Sequence, residues 1–119
     1  MKLTIDAVIL FGSRAKGTAR ADSDADVGVL AKEPLSIDDK IALSVKAAKD
    51  LGLSEDKIDI VELRNASPLL QHQVGEEGRI LFGDPQKFAR FRVLAWKRYL
   101  DTAKFRRARE QSLQRQYAK

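Results

Sequence analysis

A chain of 119 residues and 13.3 kDa has room for one domain with a sizeable core; its 44% hydrophobic and 33% charged residues make it too apolar for a disordered chain and too charged for an integral membrane protein. With no cysteine and a single histidine, disulfides, thiolate metal sites, cysteine nucleophiles and multi-histidine metal sites are excluded, so any chemistry falls to carboxylates, hydroxyls and basic groups. The net charge of +5 is uneven: residues 1–83 carry 11 Lys and Arg against 14 Asp and Glu, and residues 84–119 carry 11 against 3, an acidic body with a basic tail that suits an acidic protein or a nucleic acid, or is a solvated helix face.

In chain order, Asp6 precedes any signal-like apolar stretch, so a cytoplasmic location is expected. Ile5 to Phe11 reads as a short buried strand closed by Gly12-Ser13, and Asp26 to Leu30 as a second strand. Ser36 is a helix N-cap with Asp38 and Asp39 near the positive end of the dipole; Ile41, Val45 and Ala48 mark the apolar row of a helix of about four turns ending at Gly52. Ile58 to Leu63 is a third strand. Ser67-Pro68 opens a helix through Leu69, Leu70 and Val74 to the Gly75 or Gly78 region, and Arg79 to Phe82 is a fourth strand. Gly83-Asp84-Pro85 opens one long basic helix with an apolar stripe at Phe88, Phe91, Ala95, Tyr99 and Ala103, and Trp96 beside it. After Phe105 the stripe thins to Ala108, Leu113 and Tyr117. The expected organisation is therefore a core at 1–83 and a helix at 84–119, packed in its first half and projecting or partner-binding in its second.

The chemistry concentrates between Gly12 and Asp26. Gly12 and Gly17 let the backbone approach an anion, Ser13 offers a hydroxyl, and amides at a strand-to-helix turn make a phosphate cradle. Asp24 and Asp26, two apart at a strand start, point from one face, and their mutual repulsion calls for a cation; oxygen-only ligands suit Mg²⁺ with substrate phosphates. Asp59 faces opposite to Ile58 and Ile60, and joins the pair if its strand neighbours the second in matching register. Lys16 and Arg20 read as ordinary loop charges, His72 as a helix-surface residue, and Asp22 and Ser23 as turn caps.

Gly12-Ser13, ten residues, then Asp24-Ala25-Asp26 resembles the signature of the DNA polymerase β-like nucleotidyltransferase superfamily. More narrowly, the Gly-Ser-Arg-Ala-Lys-Gly run, the strand at Lys57 to Val61, the Glu77 to Phe82 segment and the Tyr99-Leu100-Asp101 stretch resemble the minimal nucleotidyltransferase (MNT) proteins, which include the antitoxins of HEPN-MNT toxin-antitoxin pairs. The resemblance implies a single α/β (α+β) nucleotidyltransferase domain, a mixed sheet of about four strands flanked by helices. It implies ATP as substrate and Mg²⁺ as cofactor, with Gly12, Ser13 and Arg14 binding the nucleotide and Asp24, Asp26 and Asp59 as catalytic metal ligands, Asp59 nearest the attacking hydroxyl. It further implies a HEPN ribonuclease toxin as partner, silenced by AMP placed on a tyrosine. The sequence itself has no run of about 18 apolar residues to suggest a membrane span, and the aromatics set among the basic residues of the last helix favour a protein partner over direct nucleic-acid binding. The alternative is a binding antitoxin or nucleic-acid-binding module that keeps the fold without catalysis.

Overall fold

The computed structural model describes residues 4–17 and 23–117; the readings of Arg20 as a loop charge and Asp22 as a turn cap lie outside them, as does the side chain of Tyr117. Four strands, β1 (Ile5–Phe11), β2 (Ala25–Ala31), β3 (Ile58–Glu62) and β4 (Arg79–Gly83), form one sheet in the order β3-β2-β1-β4. The sheet is mixed: β1 pairs antiparallel with β2 and β4, while β2 and β3 run parallel. A parallel pair needs a crossover, and α2 (Ile37–Leu51) supplies it. The remaining helices are α1 (Ser13–Lys16), α3 (Pro68–Glu77), α4 (Pro85–Asp101) and α5 (Ala103–Tyr117).

The unbroken apolar run of β1 has a direct cause, since Ala7 to Phe11 are buried between two layers. Val8 and Leu10, with Ala25, Val27 and Val29 of β2, meet Leu43 and Ala47 of α2. Ala7, Ile9 and Phe11 point the other way, onto Leu63, onto Val74 of α3 and onto Phe88, Phe91 and Ala95 of α4. Strand alternation then places Asp26, Gly28 and Leu30 on the α3/α4 face, and puts Asp59 there with Val61 because Ile58 and Ile60 pack toward α2.

The caps read from the sequence are present. Ser36 accepts from the Asp39 N–H at 3.0 Å while Asp39 accepts from the Ser36 N–H at 2.9 Å, Gly52 closes α2 at φ 69°, and Ser67 caps α3. Two expectations need correction. The buried row of α2 is Leu43 and Ala47 with Ala48, whereas Ile41 is 55% and Val45 43% exposed. Positions two apart on a helix differ by about 200°, so seating Leu43 on β2 turns Ile41 and Val45 outward. The long final helix is also two helices. Its interruption is Thr102, at φ −94° and ψ −1°, whose hydroxyl bonds the carbonyls of Arg98 (3.1 Å) and Tyr99 (3.2 Å), a local bond that competes with the helix ladder. Among the described residues no helix is long and apolar enough to cross a membrane.

Candidate active site

At the end of β1 the chain must turn sharply beside β2. Gly12 does this at φ 76° and ψ −155°, a region open essentially to glycine alone, and a Cβ built there would run into the Asp26 carboxylate. The backbone and the carboxylate therefore share one tight corner. Ser13 begins α1, whose single turn is closed by the Lys16 N–H donating to the Gly12 carbonyl (3.2 Å) and by Gly17 at φ 74°. Arg14 does something the sequence did not disclose: its Nε and Nη2 both donate to the Ser23 carbonyl, at 3.0 and 2.5 Å. This clamp fixes the chain immediately before Asp24. Lys16, read as a plain loop charge, pairs with Glu77 at 2.9 Å and so ties α1 to the end of α3.

The three carboxylates come together through strand register. Asp26 of β2 is the direct partner of Asp59 of β3, and neighbouring strands lie about 4.8 Å apart. Asp24 sits two residues ahead of Asp26. Asp26 is half-buried, and its carboxyl is held above the usual carboxylate range first by burial, then by the charges of Asp59 and Asp24. Asp24 and Asp59 are solvent-exposed. Among the described residues no three Asp, Glu, His or Cys groups are arranged to enclose a metal ion by themselves. Oxygen-only donors gathered at one strand end fit Mg²⁺ in its usual style, held by one or two carboxylates with phosphate oxygens and water completing the shell. A closed all-protein cage is not what these residues build.

His72, expected on the helix surface, is half-buried and stacked on Tyr99, with ring centroids 4.0 Å apart and planes 10° apart. The pairing of Glu77 with Lys16 had no local signal, because the two residues lie 61 positions apart in the chain. Only an assumed docking of α3 beside α1 could have paired them.

Comparison with known proteins places this geometry. The family model described as polymerase beta, nucleotidyltransferase matches residues 1–87. The protein adenylyltransferase MntA of Shewanella oneidensis is 37% identical over 89 residues, 75% of this chain and 62% of the relative, so the match spans about three-fifths of that relative's length. Among solved structures, a chain of a toxin-antitoxin complex with AMP-PNP superposes with a TM-score of 0.75 at 32% identity, over 92% of this chain and 86% of that one. A complex of tri-AMPylated Shewanella oneidensis HEPN toxin with its MNT antitoxin gives a TM-score of 0.69 at 29% identity, over 92% and 83%. Since the family match runs through the glycine turn, the paired carboxylates and all four strands, the chain belongs to the polymerase beta nucleotidyltransferase family.

Proposed function

We propose that this chain is a Mg²⁺-dependent nucleotidyltransferase that moves AMP from ATP onto a protein hydroxyl, and that it is the antitoxin that adenylylates a tyrosine of a HEPN ribonuclease toxin. The observation that carries the reading is the register pairing of Asp26 with Asp59 beside the Gly12 corner. Support for a protein acceptor comes from the relative named as a protein adenylyltransferase and from the similar antitoxin found with an AMPylated toxin.

In this reading the acceptor oxygen attacks the α-phosphorus, an O–P bond forms, the bond to the β-phosphate oxygen breaks, and pyrophosphate leaves. Gly12 and Ser13 hold the triphosphate. Arg14 contributes to nucleotide binding through the turn it clamps on Ser23. Asp24, Asp26 and Asp59 would hold Mg²⁺, which when bound supplies the positive charge that the transferring phosphoryl group needs. Asp59 lies on β3, an edge of the sheet, where a bulky acceptor can approach and where the hydroxyl proton can pass to the carboxylate or to water. A cytoplasmic location accompanies this reading, since ATP and the RNA cut by the toxin are found there.

The test is whether neutralisation outlasts contact. Toxin incubated with this chain, ATP and Mg²⁺ and then separated from it should remain inactive and carry an AMP adduct on tyrosine by mass spectrometry. Recovery of ribonuclease activity on separation, with no adduct, would replace transfer by the contact-only alternative.

A further inference from the structure

The face of the sheet that carries the carboxylates also carries a second charged cluster. Between the far ends of β2 and β3 and the flank of α4 lies a cavity of about 380 Å³. Five cations line it: Lys32, Arg64, Lys87, Arg90 and Arg98. Among the described residues lining it, Asp6 is the one carboxylate, and it is already bonded to Lys87 at 3.0 Å. Five positive charges against one negative leave an excess of four around a single opening, a local positive field that attracts an anion.

Two of the guanidiniums are fixed without being neutralised. Arg98 donates to the Gln71 side-chain oxygen (3.1 Å), and buried Gln71 in turn donates to the Leu63 carbonyl (2.7 Å). Arg64 donates to the Lys32 carbonyl (2.9 Å). Neutral acceptors set their positions and leave their charge available, which lowers the ordering cost of an incoming carboxylate. The accessible apolar part of the floor is Leu30, half-buried, with Leu94 exposed at the edge. An inorganic phosphate would gain nothing from that floor. A nucleic-acid base would find no stacking platform either, because Phe91, the aromatic residue of the lining, is only 7% exposed.

We propose that this cavity docks an acidic segment of the protein acceptor, one that lays carboxylates against Arg64, Arg90 and Arg98 and an apolar side chain over Leu94. The inference rests on the protein-acceptor reading above. Asp26 and Leu30 share the same face of β2, four residues or about 13 Å apart, so one partner can span the cavity and the carboxylates together.

The experiment uses the full chain with Arg64→Glu and Arg90→Glu combined; both residues are exposed, and Arg98 is left to hold Gln71. Direct titration with the HEPN toxin at physiological salt should show affinity at least about tenfold weaker, the equivalent of one decade in Kd, with binding of AMP-PNP and the melting temperature unchanged. The matching Arg64→Lys and Arg90→Lys variant should restore most of the affinity. In transfer assays the KM for toxin should rise and the KM for ATP should not. Wild-type affinity in the charge-reversed variant would overturn the proposal, as would single-stranded RNA that binds the wild type tightly, displaces the toxin and fails to bind the variant. Binding is read separately from AMP transfer, so a chain that docks toxin here without modifying it would defeat the enzymatic reading and leave the docking site standing.

Discussion

At one end of the α3/α4 face of the sheet three carboxylates crowd together, and at the other end five cations do. Each cluster gathers charges of one sign, but the two hold them differently. At the acidic end the central group, Asp26, is half-buried and its pKa is raised. At the basic end the charges stand at the rim of an open cavity and are steered by neutral oxygens. On the proposed reading the contrast separates two kinds of grip: a half-buried carboxylate flanked by two exposed ones suits a metal ion with phosphate, and an open cationic rim suits side chains on another protein.

The largest expected effect comes from removing the central charge of the acidic end. Asp26→Asn should reduce AMP transfer by about 10³-fold, since a lost metal ligand forfeits several kcal/mol of transition-state stabilisation. The fold should not suffer. Because the pKa of Asp26 is raised on folding, the native state binds its proton more readily than the unfolded chain does. Stability from this group is therefore undiminished below the unfolded pKa and declines as pH rises through the interval up to the folded value. Without metal the Asn variant should thus melt at the same temperature or higher at neutral pH and lose this part of the acid-side dependence. Scanning calorimetry across pH, with and without Mg²⁺ and AMP-PNP, checks both; a variant that melts well below the wild type without metal would show Asp26 to be structurally required.

Next in size is the corner itself. Gly12→Ala must place a Cβ against the Asp26 carboxylate and hold alanine at φ 76° and ψ −155°, at a cost of about 1–3 kcal/mol. Urea unfolding should show that loss together with weakened AMP-PNP binding. An alanine variant with undiminished stability would mean that the turn relaxes freely and that the close approach is not required.

The two ends also differ in how far they could be read from the sequence. Gly12, Ser13, Asp24 and Asp26 lie within fifteen residues and form one motif, and the antiparallel pairing that sets Phe11 beside Asp26 brings its two halves together. Asp59 required an assumption about register, which the parallel pairing of β2 with β3 satisfies. The cationic cavity had no such local signal, because its lining runs from Asp6 to Arg98 and depends on how α4 crosses the sheet. Tertiary docking also decided the two misread features: Ile41 and Leu43 both fit a helical row, and Thr102 lies within a stripe that continues on either side of it.

The smallest effect on the fold, and the sharpest division between the basic regions, is expected from truncation before Lys104. On α5, Phe105 is 66% and Leu113 47% exposed, so little core would be lost. Its visible anchor is Arg106, which donates to the Tyr99 carbonyl (2.7 Å) and lies 3.8 Å over the Tyr99 ring, completing a stack of His72, Tyr99 and Arg106. A partly exposed cation–π contact of this kind contributes about 0.5–1 kcal/mol, so the shortened chain should unfold close to the wild type and bind AMP-PNP normally. Toxin binding should fall, because Phe105 and Leu113 alternate with Arg106, Arg107 and Arg109 in the aromatic-and-arginine pattern that protein interfaces favour. Since the cavity cations all precede residue 99, adding Arg64→Glu and Arg90→Glu to the truncated chain separates the two grips. If α5 and the cavity contact the toxin independently, the losses should add in free energy; if truncation alone leaves the affinity unchanged, the second half of the basic tail is only a solvated helix.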